Sequence, residues 1–218
     1  MTKTVIPNTP SATDYAAEGE RDLSWVDAQD PIALFETWLK AAGESEVNDP
    51  HAMSLATVDQ TGLPDVRIVL FKGLDARGFV FYTNEQSAKG EQLRGQSKAA
   101  LCFYWKSKKR QVRVRGEAEP VSAAESDAYF ASRARGSRIG AWASDQSRPV
   151  DDRESLMAKT AEVEARFEGE DVPRPDHWYG WRVKPDSIEF WQDGAFRLHD
   201  RIVFRSGAEG WSKTRLYP

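Results

Sequence analysis

Short apolar runs closed by turn-forming residues govern the chain from residue 52 onward: AMSLATVD precedes QTG, VRIVLFK precedes GLDARG, and FVFYT follows. β-Branched and aromatic residues in runs of this length, punctuated by glycine and aspartate, specify strands joined by tight turns. These three runs read as an antiparallel meander. AALCFYW (99–105) then reads as a buried strand, with QVRVRGEAE (111–119) as its partner across the Lys106–Arg110 turn. WYGWRV, SIEFWQ, DRIVFR and GWSKTRL supply further strands near the C-terminus. The pattern predicts one mainly β, barrel-like domain with helices packed on it.

Helical spacing appears in a few places. Asp30-Pro31 reads as an N-cap with proline at the first helical position, followed by Ile32, Phe35, Trp38, Leu39 and Ala42 on one face and an end near Gly43. Residues 87–96, 122–134 and 152–168 are expected to be helical as well. The first thirty residues are polar and proline-containing, so 1–30 reads as a mobile arm and 31–218 as a single domain.

Composition removes several classes of function. Of the 218 residues, 40% are hydrophobic, which suffices for a core and excludes a disordered chain. A single cysteine, Cys102, rules out a disulfide framework. The three histidines, His51, His177 and His199, have no metal-binding helical spacing, so no metal site is expected. No run approaches the length of a membrane span and the N-terminal stretch lacks a signal peptide's apolar segment, which makes the cytoplasm the expected compartment and no membrane partner expected. Net charge is -4, so nucleic acid is not an expected partner, although KSKKRQVRVR (106–115) is locally basic.

Several short stretches concentrate hydrogen-bond donors. In RLHDR, an extended chain puts Arg197, His199 and Arg201 on one face, where they could meet a flat, electron-rich or anionic ligand or simply blunt a sheet edge. Arg67 and Lys72 are five apart and so face opposite sides of a regular strand, which points to two anionic groups or to two strand-end charges in water. YTNEQSAKGEQL runs from a strand through Thr83 and Ser87 into a helix carrying Lys89, a plausible phosphate cradle. Tyr129, Arg133 and Ser137 stand four apart, so a continuous helix would align three donors. The competing reading is an exposed face on which Arg133 pairs with Glu125 or Asp127. Trp142, Trp178 and Trp181 read as core.

Taken together, RIVLFK, FYTN, RQV, YFASR, IGAWAS, QS, IEFWQ, RLHDR and the terminal RLYP resemble the pyridoxine (pyridoxamine) 5′-phosphate oxidases, from about residue 30 to the C-terminus. The resemblance implies an FMN-binding split β-barrel homodimer with its active site at the subunit interface. It implies oxidation of pyridoxine 5′-phosphate and pyridoxamine 5′-phosphate to pyridoxal 5′-phosphate, with dioxygen as acceptor and hydrogen peroxide as by-product. The FMN ligands it implies are Arg67, Ile68, Val69, Leu70, Phe71, Lys72, Tyr82, Thr83, Lys89, Gln111, Gln146, Ser147, Trp191 and Arg201. For the substrate it implies Lys72, Tyr129, Arg133 and Ser137 at the phosphate, Arg197 and His199 as catalytic groups at the pyridine ring, and Tyr15 from the arm.

The chain departs from the family pattern at two places. Ala88 stands where an arginine is usual, and losing such a contact weakens FMN binding by about 1.5–3 kcal/mol if the arginine is buried. The arm keeps only Tyr15 of the usual arginine-glutamate-tyrosine set. A related split-barrel flavin oxidase acting on another substrate, as in phenazine biosynthesis, and a flavin- or haem-binding protein without catalysis stand as alternatives.

Overall fold

The computed structural model describes residues 11–13 and 21–218. Helix α1 (Pro31–Gly43) begins where the Asp30 carboxylate accepts hydrogen bonds from the Ile32 and Ala33 N–H groups. Its apolar face buries Leu34, Phe35, Trp38 and Ala42. Phe35 meets Phe71, Phe79 and Phe103 edge-on at centroid distances of 5.5, 4.9 and 4.9 Å, which seats the helix on the inner face of the sheet.

The sheet contains β1 (Ala52–Val58), β2 (Pro64–Leu70), β3 (Gly73–Asp75), β4 (Gly78–Asn84), β5 (Lys98–Trp105), β6 (Arg110–Pro120), β7 (Trp178–Gln192), β8 (Asp200–Gly207) and β9 (Gly210–Leu216). Its order is β2-β1-β5-β6-β7-β4-β3, with β8 added to β7 and β9 to β8. The sequence suggested two strands where β7 runs unbroken. One edge of β7 pairs with β6 along most of its length; the other pairs with β4 through residues 178–183 and with β8 through residues 187–192. The change of partner coincides with Pro185, which has no N–H to donate, and with a register shift at Arg115/Gly116. A Cβ at Gly116 would lie 1.8 Å from the Lys184 carbonyl oxygen, so only glycine allows this approach.

Three further expectations are corrected. The meander over 52–83 is instead two hairpins, because β4 pairs with β7 rather than β2; the Lys72 N–H, donating to Val80 O at 2.8 Å, links them. The helix expected over 122–134 stops at Ser132. α3 (Ala123–Ser132) gives way to an extended Arg133, and α4 (Arg135–Ala143) starts anew. The expected arm over 1–30 is docked from residue 21 on. Trp25 is buried against Trp38 at 5.0 Å, and Lys213 Nζ donates to the Val26 and Ala28 carbonyls. Two remaining helices, α2 (Ala88–Gly95) and α5 (Arg153–Arg166), fall within the expected ranges and are capped by Ser87 and Asp152. No helix among the described residues is long and apolar enough to cross a membrane.

Candidate functional site

A cleft of about 470 Å³ opens where edge strand β2, the end of β4, the start of α2 and the α3–α4 junction meet. Its two poles carry cations. One groups Lys72 with Tyr129, Arg133 and Ser137, the other Lys89 with Thr83 and Gln146, and Ile68, Val69 and Leu70 line the same cleft.

The first pole is built by a break in the chain. Tyr129, Arg133 and Ser137 do converge, but not along one helix: Arg133 adopts φ -78° and ψ 149°, and Ser137 belongs to the next helix. The break lets α4 turn back across the cleft. Arg133 does not pair with Glu125 or Asp127, which are held by Arg182 and Arg174. Its guanidinium instead lies over the Trp178 ring at 4.7 Å, and its buried Nη1 has no hydrogen-bond partner among the described residues. Burial pushes the Arg133 pKa down. Tyr82 and Tyr129 stack at 4.0 Å, with Trp178 5.4 Å from Tyr82, to form an aromatic wall. Gly180 leaves room for that wall, since a Cβ there would meet the Tyr82 ring at 2.7 Å.

At the second pole, Lys89 lies in the first turn of α2, where helix geometry already favours an anion. Its Nζ donates to Gln146 Oε1 at 2.9 Å and Ser87 Oγ at 3.3 Å, and among the described residues no carboxylate pairs with it. Burial lowers its pKa, with the neighbouring Arg67 charge acting in the same direction. Arg133 and Lys89 are thus desolvated cationic donors, and among the described residues neither is paired with a carboxylate.

Gln111, Trp191, Arg197, His199 and Arg201 form a second group outside this cleft. Gln111, Trp191 and Arg201 are register neighbours on β6, β7 and β8. Arg201 donates from Nε and Nη2 to Glu189 Oε1 at 3.0 and 2.8 Å. The His199 ring packs against Trp191 at 4.7 Å, and its Nδ1 lies 3.1 Å from the Gly194 N–H and 3.0 Å from Asp193 Oδ1. The extended reading of 197–201 is corrected. Phe196 and Arg197 occupy left-handed conformations, φ 57° and 66°, so the chain folds back before β8 and Arg197 leaves the strand face. A Cβ at Gly194 would lie 2.0 Å from Leu198 O, which shows how tight the fold-back is. Strands β1 and β5 separate this cluster from β2.

Three other expected ligands sit elsewhere. Phe71 is in the core and is not among the residues lining the cleft. Arg67 turns toward α2, where Asp65, Thr57 and Gln92 hold its guanidinium. Ser147, at φ 71°, lines a neighbouring surface groove with Arg148 and Asp151. Tyr15 lies outside the described residues. Asn84, Gly140, Ala141, Ser144 and Trp178 line the cleft without having been expected there. The small residues of IGAWAS were the available signal, because they leave the cleft side of α4 open.

Comparison with known proteins gives a consistent result. Residues 39–167 match the family model described as pyridoxamine 5′-phosphate oxidase, and residues 178–218 match the pyridoxine 5′-phosphate oxidase C-terminal dimerisation region. A pyridoxine/pyridoxamine 5′-phosphate oxidase of Hyphomonas neptunium is 58% identical over 220 residues, covering 100% of both chains. Among solved structures, PhzG from Burkholderia lata 383, in complex with tetrahydrophenazine-1-carboxylic acid, superposes with a TM-score of 0.85 at 32% identity, covering 91% of this chain and 98% of that one. A pyridoxamine 5′-phosphate oxidase-related, FMN binding protein from Nostoc punctiforme shares the fold, with a TM-score of 0.70 at 17% identity over 88% of this chain and 100% of that one.

Proposed function

This chain belongs to the pyridoxamine 5′-phosphate oxidase family, and on that premise we propose that it oxidises pyridoxine 5′-phosphate and pyridoxamine 5′-phosphate to pyridoxal 5′-phosphate using FMN and dioxygen. The observation that carries the proposal is the buried, unpaired Arg133 Nη1 in a cleft shared with Lys72, Tyr129 and Ser137. An unmet guanidinium donor beside an ammonium, a phenol and a hydroxyl suits a phosphate dianion. The guanidinium lies over the Trp178 ring, a contact that holds the charge without neutralising it.

The donor set at the other pole fits FMN. Lys89, Thr83, Gln146 and the α2 N-terminus would hold the flavin phosphate, and the backbone of Ile68–Leu70 would meet the ring system. Arg67 would raise the positive potential behind Lys89. When bound, FMN supplies the two-electron oxidation, with dioxygen as the final acceptor giving hydrogen peroxide. The protein's own task is to hold two rings in contact and exclude water between them.

The second cluster completes the site from a second copy of the chain. Gln111, Trp191 and Arg201 would contact the flavin, and Arg197 and His199 the substrate pyridine. Val66, Ile68 and Leu70 on β2 are exposed at 63, 65 and 38%, an apolar strip of the kind a partner covers. A twofold axis then places each cluster on the other protomer's cleft and yields two equal sites.

The test is an anaerobic titration of the FMN-loaded protein with pyridoxine 5′-phosphate, followed by visible flavin absorbance. Bleaching that returns on admitting air supports both half-reactions. A flavin that stays oxidised in protein shown to bind FMN overturns the assignment and favours a related oxidase acting on a ring without phosphate.

A further inference from the structure

Behind the aromatic wall of the cleft lies an ion cluster that the proposed chemistry does not use. Arg182, opposite Val80 in the β7–β4 ladder, is only 2% exposed. Its Nη2 donates to Glu125 Oε1 at 2.6 Å and to Asp75 Oδ2 at 3.2 Å. Arg77 Nη2 reaches the same Glu125 oxygen at 3.0 Å from the β3–β4 turn. Taking a guanidinium this far from water is unfavourable unless its partners are fixed in place.

Glu125 is also the third residue of α3, and its other oxygen is equally committed. Oε2 accepts from the Ser122 N–H at 3.1 Å and from Ser122 Oγ at 2.9 Å, closing a capping box. One residue on, buried Ser126 Oγ accepts the Gly180 N–H at 3.2 Å. Neighbouring β7 residues thus fasten the first turn of α3. The same helix carries Tyr129 and delivers Arg133 at its end. A ten-residue helix is a rigid rod of about 15 Å, so its anchored start sets where its far end lies.

We infer that the Arg182–Glu125 pair is a positioning device that fixes α3 on β7 and so aims Tyr129 and Arg133 into the cleft. It acts through those two residues and touches no ligand. The inference rests on the proposed function in one respect, that the Arg133 pole grips the substrate phosphate.

The test uses the full-length, FMN-loaded protein with Arg182→Met, Glu125→Gln and the double variant. Glutamine preserves the capping box while removing the charge, so Glu125→Gln separates helix capping from ion pairing. The readouts are KM and kcat for pyridoxine 5′-phosphate, competition by inorganic phosphate, flavin content and melting temperature. Each single variant is expected to raise KM and weaken phosphate competition roughly tenfold, the scale of coupling between interacting residues, with kcat and flavin content retained. The double variant should be no worse than Arg182→Met. Variants that melt earlier but keep wild-type KM and phosphate competition overturn the inference, leaving a purely structural ion pair. So does a fall in kcat at constant KM. If Arg182→Met does not fold, Glu125→Gln alone decides on the same criteria. A wild-type protein that neither turns over pyridoxine 5′-phosphate nor binds inorganic phosphate removes the proposed function and this inference together; normal wild-type behaviour with unaltered variants removes only this inference.

Discussion

The Arg133 guanidinium carbon lies 4.7 Å from the centre of the Trp178 ring, with one nitrogen buried and unpaired. The tryptophan supplies a platform for the charge without neutralising it, so the donor stays available for an incoming anion. A carboxylate in place of Trp178 would satisfy Arg133 and close the pole.

Arg133→Ala is therefore expected to raise KM for pyridoxine 5′-phosphate by about 10- to 100-fold, as for loss of a charge-assisted contact. Flavin content should stay at the wild-type level. Arg133→Lys should recover little, because an ammonium cannot reproduce a planar, stacked donor. Steady-state kinetics on both variants check this; wild-type KM in Arg133→Ala counts against the phosphate assignment.

Lys89 supports a prediction on affinity and on pH. Burial holds its pKa below the usual lysine range. The unfolded chain then keeps this proton to higher pH than the folded one. Between the depressed value and the ordinary lysine value, about 10.4, the stability of flavin-free protein rises with pH from this group. Below that window the desolvated ammonium disfavours the fold until an anion pairs with it. Lys89→Met should leave flavin-free protein at least as stable as wild type while weakening FMN binding about 10- to 100-fold. Thermal melts of flavin-free protein and a flavin fluorescence titration measure the two effects; a large stability loss with unchanged affinity would reverse the assignment.

Strand alternation made most of the sheet legible in the sequence, because Val112 and Val114 face the core while Arg113 and Arg115 do not. The cap at Asp30 was legible for an equally local reason. What depended on distant partners was not. Pairing of β4 with β7 is a tertiary choice, and the two-partner edge of β7 shows only once Gly116 is seen against Lys184. The cleft residues Tyr129, Arg133 and Ser137 were found by their spacing, yet their convergence comes from a chain break that the spacing did not reveal. The fold-back at Phe196 and Arg197 was hidden because neither residue favours a left-handed backbone.

Glu125 gives a prediction on acid stability. Its hydrogen bond to Arg182, reinforced by Ser122, holds its carboxyl down at about 2. A depressed carboxylate contributes stability above its ordinary value, about 4.3, and loses it as pH falls toward the folded value. The stability gap between wild type and Glu125→Gln should therefore be full at pH 6 and shrink as the pH is lowered from about 4.3 toward 2. Urea midpoints across this range measure it. A gap that does not change with pH would mean that packing, not charge, carries the contribution.

Gly194 controls the tight loop that presents Arg197 and His199. A methyl group there meets the Leu198 carbonyl carbon at 2.7 Å and its oxygen at 2.0 Å, and neither belongs to a flexible side chain. Gly194→Ala should force the loop outward and lower kcat by about 10-fold or more, since small displacements of reacting groups are costly. The core is remote from this loop, so circular dichroism should be unchanged. Wild-type kcat in Gly194→Ala would show that the loop accommodates the change without moving its side chains.

The division of expected ligands between a cleft and a separate cluster predicts how two defective proteins behave when mixed. Arg133→Ala damages the cleft; Arg197→Met damages the loop cluster. If each site takes its cleft from one protomer and its loop from the other, a hybrid dimer contains one site with both defects and one with neither. Each variant alone should be nearly inactive under substrate-limited conditions. After equal amounts are unfolded and refolded together with FMN, about half of the dimers are hybrids with one intact site in two, so about a quarter of wild-type activity should return. If both clusters served a site within one chain, every site in the mixture would carry one defect and no activity would return. Size-exclusion chromatography of the refolded mixture confirms that dimers have formed and makes the kinetic result decisive.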